Sequence, residues 1–148
     1  MAQAKSPTDQ VGAPTIAVDT EKGVNARFQR ALNLHQRGDL NEAARLYQQV
    51  LKDEPRHFDA LHMLGALAMQ KQQPAAAIKL LARALKVNPR SASAYSNLAA
   101  ALNAIRRFKA ALDSANRALA LSPRFSPAHH NRALALTGLN RNVIQGFI

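Results

Sequence analysis

Cysteine and tryptophan are both absent from this 148-residue chain. Without cysteine there are no disulfides, thiolate metal sites or thiol nucleophiles. Aromatic side chains make up 5% of the residues, too few for the stacking platforms that grip single-stranded nucleic acid, so nucleic acid is not an expected partner. The longest near-apolar stretch, Leu61–Met69, is broken by His62 and falls well short of the roughly 20 residues of a membrane helix. The first 23 residues hold no apolar core of the secretory kind, so the cytoplasm is the expected compartment and no membrane is expected as a partner. Acidic residues are scarce, 9 against 20 lysines and arginines, which leaves a formal net charge of +11. No segment alternates polar and apolar residues with a period of two, so no sheet is expected.

What the chain does have is repetition, the feature to test first because it decides the whole architecture. Pro55, Pro89 and Pro123 stand 34 residues apart in the phrases VLKDEPR, ALKVNPR and ALALSPR. In the same register lie Ala43, Ala77 and Ala111, then Leu51, Leu85 and Leu119. Two further columns read Ala31, Gly65, Ala99, Ala133 and Leu34, Ala68, Leu102, Leu136. Each unit reads as two helices. Leu61, Leu64, Gly65 and Ala68 follow the i, i+3, i+4, i+7 spacing of one amphipathic helix, and Ala77, Leu81, Ala84 and Leu85 follow it in a second. Turn residues separate the two: Gly38-Asp39, Gln72-Gln73-Pro74 and Arg106-Arg107. Asp39 with Glu42 is expected to cap the following helix, and Pro74 suits a first helical turn. The recurrent prolines should end each second helix, because proline disfavours α geometry in the residue before it. The small-residue columns let paired backbones approach closely, and stacked neighbours complete the core.

These columns resemble the tetratricopeptide repeat over residues 24–125, in three units (24–57, 58–91 and 92–125), with a partial fourth at 126–148. The aromatic residue that often opens the first helix is matched by Tyr95, whereas Arg27, Leu61 and His129 stand there in the other units. The resemblance implies an all-α, right-handed superhelix, a solenoid whose first helices line a concave groove for peptides or partner proteins. The phrases SAYSNLAAAL and AHHNRALAL are similar to the N-terminal repeats of O-GlcNAc transferase-like proteins. In those, a ladder of asparagines on the first helices grips a peptide backbone; the column here reads Gln29, Met63, Asn97, Asn131.

The groove residues that the resemblance implies are Asp59, His62, Met63, Ala66 and Met69 in the second unit. Ser93, Ser96, Asn97, Ala100 and Asn103 continue them in the third, and His130, Asn131 and Leu134 in the fourth. Relatives that hold acidic chaperone tails use lysine, arginine and asparagine at fixed groove positions. Phe28, Leu32, Met63, Ser93 and Asn97 occupy those positions here, so that clamp is not in register. In the second and third units, which supply most of the excess, the positive charge sits elsewhere, in the second helices and turns: Lys71, Lys79, Arg83, Lys86, Arg90, Arg106, Arg107, Lys109, Arg117 and Arg124. A basic exterior of this kind either keeps the molecule solvated or docks an acidic partner.

Catalysis finds no support. None of His35, His57, His62, His129 and His130 forms the i, i+4 pair of a helical zinc motif, so no metal is expected. Asp39, Glu42, Asp53 and Glu54 are read as helix-end carboxylates, Ser91, Ser93 and Ser96 lack a GxSxG setting, and the six glycines are too scattered for a phosphate loop. The chain is expected to be a non-catalytic scaffold with no cofactor. The alternative is the substrate-recruiting part of an O-GlcNAc transferase-like enzyme whose catalytic domain is not in this sequence. Residues 1–23, with scattered Pro, Thr, Gln and Asp, read as a loosely attached tail. After Arg141 the pattern fails, with Gln145 at the alanine column and Val143, Ile144, Phe147 and Ile148 lacking a polar face. A fragment of a longer protein, an altered end, and self-association through the open C-terminal face all remain open.

Overall fold

The computed structural model describes residues 13–146, with side chains from Gly23 onward. Seven helices follow one another: α1 (Ala13–Gln36), α2 (Leu40–Asp53), α3 (Phe58–Gln70), α4 (Pro74–Val87), α5 (Ala92–Ala104), α6 (Phe108–Leu121) and α7 (Ser126–Ile144). No strand occurs among the described residues, and none of their helices is long and apolar enough to cross a membrane. The segment read as a loose tail is helical from Ala13, and residues 1–12 of it lie outside the described residues. Pro14 is the second residue of α1, where its missing N–H removes no intrahelical bond, so it opens the helix rather than preventing it.

The turn inside each hairpin is built three times in the same way. Gly38, Gln72 and Arg106 all have positive φ, at 85°, 58° and 63°. Each N–H bonds the carbonyl three residues back, and the next N–H reaches five back: Asp39 to Leu34, Gln73 to Ala68, Arg107 to Leu102. This reversal closes the last carbonyls of α1, α3 and α5 by backbone bonds alone. It also displaces the expected Asp39 cap. Asp39 makes no side-chain bond to α2, and Glu42 pairs with Arg45 instead. Caps by side chain occur at the other junction, where His57 Nδ1 accepts from the Ala60 N–H (3.0 Å) and Ser91 Oγ from the Ala94 N–H (3.1 Å). Glu54, Asn88 and Ser122, each before a proline, are extended and end α2, α4 and α6.

Packing follows the small-residue columns. Ala31, Ala43, Ala77, Ala99 and Ala111 are fully buried. A Cβ on Gly65 would stand 2.8 Å from Leu81 Cγ, so α3 lies almost directly on α4. Between hairpins, α3 packs on α5 and α5 on α7, whereas no comparable contact joins α2 to α4 or α4 to α6. The first helices therefore form the inner, shorter side of the stack. In the first unit, a chain of polar contacts runs from the Tyr47 hydroxyl to His35 Nδ1 (3.1 Å) and from His35 Nε2 to Gln70, tying α2, α1 and α3 together. Burial pushes the Tyr47 hydroxyl up to about 12.

The fourth unit departs from this plan. Asn140, equivalent to Gly38, is helical, and α7 continues to Ile144. One stripe, Ala128, Asn131, Ala135 and Gly138, is buried against α5 and α6, while Leu136 and Ala133, which in earlier units meet a second helix, are exposed. Ile144 is 84% exposed.

Two stability outcomes follow. Gln72→Gly should raise stability by about 0.5–1 kcal/mol, because glycine adopts the left-handed turn without Cβ strain; an unchanged or lower denaturation midpoint would contradict the turn assignment. Gly65→Ala should lower stability by about 1–2 kcal/mol although alanine favours helices, since overpacking outweighs propensity. The same substitution should cost less in a Leu81→Ala background, which a double-mutant cycle by urea denaturation would measure.

Candidate functional site

Three consecutive first helices, α3, α5 and α7, supply the concave face, and α3 and α5 contain no lysine or arginine. The expected residues divide into two groups there. Asp59, Ser93, His130 and Leu134 are exposed, and His62, Met63, Ala66, Met69, Asn97, Ala100 and Asn103 are half-buried. Ser96 and Asn131 are not available as lining: they are 1% and 8% exposed.

The reason is a bond that repeats along the stack. Asn131 Nδ2 donates to the Ser96 carbonyl (2.9 Å) and to Ser96 Oγ (3.1 Å). One unit earlier, Asn97 Nδ2 donates to His62 Nε2 (2.9 Å). Ser96 and His62 occupy equivalent positions, so the two asparagines of the expected ladder each reach back to the preceding unit. In the first pair of units the corresponding Met63 joins the apolar core beside Phe28. Asn103 Nδ2 adds a third link, to the Asn131 carbonyl at 2.9 Å. Ladder asparagines thus join neighbouring repeats. Methionines do so as well: Met63 and Met69 both pack against buried clusters.

Two places on the concave side keep unspent chemistry. At the α3–α5 step, His62 sits under the Phe58 ring (5.6 Å between centroids), with Asp59 and Ser93 exposed beside it. Desolvation holds the His62 imidazole below its ordinary range, against the opposing pull of the Asp59 carboxylate. Burial thus favours the uncharged ring, whose Nε2 accepts from Asn97 when the proton sits on Nδ1. At the α5–α7 step lies a cavity of about 420 Å³ lined by Ala100, Asn103, Phe108, Leu134, Thr137 and Arg141. Asn103 Oδ1 is buried there without a hydrogen-bond partner. Arg141 belongs to the site because α7 runs on beyond the position where α3 and α5 end, whereas Thr137 and Gly138 stand level with Asn103 and Ala104 of α5. The sequence reading names Leu134 but none of these three, and the residue at position 140 gives no signal of the extension, since Gln72 and Arg106 make the earlier turns without glycine.

Asn131→Ala should destabilise the fold by about 1–3 kcal/mol by removing a buried donor from Ser96. Ser93→Ala should change stability by less than about 0.5 kcal/mol. Comparable effects in denaturant titrations would contradict the division into structural and exposed groove residues. For His62 the folded state binds its proton less readily than the unfolded chain. Its stabilising contribution is complete above the ordinary histidine value of about 6.5 and is lost as pH falls below it. The slope of melting temperature between about pH 7 and 5 should flatten in His62→Gln; an unchanged slope would contradict the burial of the ring.

The geometry has counterparts among known proteins. The tetratricopeptide repeat family model matches residues 34–102. A crystal structure of MamA is 30% identical, with a TM-score of 0.71, over 74% of this chain and 64% of that one. The O-GlcNAc transferase of Thermobaculum terrenum is 31% identical, with a TM-score of 0.72, over 76% of this chain and 22% of that enzyme. The chain thus spans just under two thirds of the former and about a fifth of the latter. The first repeat domain of Spaghetti (RPAP3), solved with the HSP90 peptide SRMEEVD, has a TM-score of 0.77 at 19% identity, over 79% of this chain and 93% of that one, a likeness of fold alone. No curated protein sequence matches. Two-helix units of 34 residues, glycine-or-alanine contacts at fixed columns, the family match and these structural neighbours together make this chain a tetratricopeptide-repeat protein.

Proposed function

We propose that the chain is a non-catalytic scaffold that holds an extended segment of a partner protein along α3, α5 and α7. The observation that carries this reading is the α5–α7 cavity, where an apolar wall of Ala100, Leu134 and Phe108 stands beside the polar Asn103, Thr137 and Arg141. An aliphatic side chain flanked by a backbone peptide group matches that combination of apolar and polar lining. His62, Asp59 and Ser93 extend the polar contacts toward α3. The peptide-bound neighbour has the same fold, but α3 and α5 lack the cations that an acidic tail would require, so a segment without clustered carboxylates is the better match along them.

A second reading, in which these repeats recruit substrate to a glycosyltransferase domain, is favoured by the 31% identity to the Thermobaculum terrenum enzyme. A transferase domain encoded in the same reading frame would support it, and a cellular protein made of the repeats alone would contradict it.

Ala100→Trp fills the cavity mouth from a half-buried groove position. Proteins retained from the native lysate by the wild type should be depleted on immobilised Ala100→Trp and kept by Leu121→Ser, a change away from the groove. Identical protein sets on the wild type and Ala100→Trp, quantified by mass spectrometry, would contradict groove binding.

A further inference from the structure

The outer side of the stack carries a cavity that the groove reading does not use. It lies between α2 and α4 over the C-terminal half of α3 and has a volume of about 460 Å³. Its floor is aliphatic, formed by Leu51, Leu64, Leu67 and Leu80, of which Leu64 and Leu67 are buried. Around it stand Lys52 from the last turn of α2, Lys71 at the end of α3 and Arg83 from α4, all exposed. No carboxylate lines it. The acidic residues nearby on α2 are already engaged, Glu42 with Arg45 and Asp53 with Arg27. Lys71 Nζ is 2.7 Å from Asn41 Oδ1, and Arg83 Nη2 is 3.4 Å from the Pro55 carbonyl, so neither cation is neutralised by its contact. An adjoining cavity of about 310 Å³ shares Arg83 and adds Arg56, Lys86 and Leu61, continuing the same combination toward the α2–α3 junction.

Solvation alone does not call for this arrangement. Three like charges around one aliphatic floor repel each other, and an anionic occupant relieves that repulsion while covering the leucines. A nucleic-acid backbone would meet the cations but leave the floor uncovered, and no aromatic ring is present there to stack on a base. An amphipathic helix bearing aliphatic residues on one face and carboxylates along its borders satisfies both features.

We propose that this outer cleft docks an acidic amphipathic segment of a partner protein, with its aliphatic side chains on Leu51, Leu64, Leu67 and Leu80 and its carboxylates against Lys52, Lys71 and Arg83. The site is separate from the concave groove and stands whether or not the groove takes a peptide. The probe is a fluorescein-labelled helical peptide of leucines at i, i+3 and i+4 positions with glutamates between them, followed by anisotropy. Two control peptides replace its leucines by serine or its glutamates by lysine.

The leucine–glutamate peptide should bind saturably, and both controls should bind at least about tenfold more weakly. The double variant Lys52→Glu/Arg83→Glu should weaken binding by about tenfold or more, and Lys52→Gln/Arg83→Gln by less. Both changes are at exposed positions, and circular dichroism reports whether the fold is kept. Ala100→Trp should leave the affinity unchanged. Equal binding of the serine control, equal binding by the charge-reversed variant, loss of binding in Ala100→Trp, or displacement of the peptide by a DNA duplex or anionic vesicles at lower concentration would each overturn the proposal.

Discussion

Every two-helix unit leaves an apolar stripe that only the next unit can bury, and this nearest-neighbour dependence organises the molecule. The stripe is narrow because the helices approach so closely. With α3 resting on Leu81 at a glycine, and alanines at the matching columns, little room is left for larger side chains. The small residues set the close approach, and the larger side chains, Tyr47, Leu61, Leu67 and Leu81 among them, fill the space left between units. The consequence is visible at α7, where Leu136 and Ala133 occupy columns buried or half-buried in earlier units yet meet no second helix.

The same dependence shapes the concave side. Polar residues on first helices face two demands, joining units and meeting a ligand. Asn97 and Asn131 meet the first demand through bonds to His62 and Ser96. A hydrogen bond buried between helices fixes their relative position more specifically than apolar contact does. What those bonds leave open is the exposed set flanking them, together with the cavity lined by Asn103, Leu134 and Phe108. Most of the lysines and arginines of the second and third units lie on the opposite side, so the inner and outer surfaces differ in chemistry as well as curvature. Through α3 and α5 the groove has no lysine or arginine and one carboxylate, Asp59; the exterior is cationic and, over the leucines between α2 and α4, also aliphatic.

Much of the fold is legible in the sequence because close helix contact imposes fixed small residues. The 34-residue spacing, the prolines that follow extended Glu54, Asn88 and Ser122, and the turn residues all have local physical causes. Less legible were features decided by neighbours. Nothing in the local sequence says whether the asparagine column turns toward a ligand or toward the preceding unit. The buried side of Ser96 depends on Asn131, 35 residues away. Pro14 reads as a breaker in isolation, but its place at the second residue of α1 makes it compatible with a helix. Asp39 looks like a cap, yet the backbone turn leading into α2 already reverses the chain, and Asp39 makes no side-chain cap bond. The outer cleft was invisible for another reason: its cations come from three helices, and only folding brings Lys52, Lys71 and Arg83 around one floor.

If stacking joins the inner faces of α3, α5 and α7 into one groove for a protein segment, a single partner should touch two of these helices at once. Photo-crosslinking reads this contact, with a photoreactive residue introduced at Ser93 or His130 on the inner face, and at Asp113 on α6 as the reference position. Adducts with the same partner protein from both inner positions, and none from position 113, are the predicted result. Adducts from position 113 alone, or from neither inner position, would contradict it.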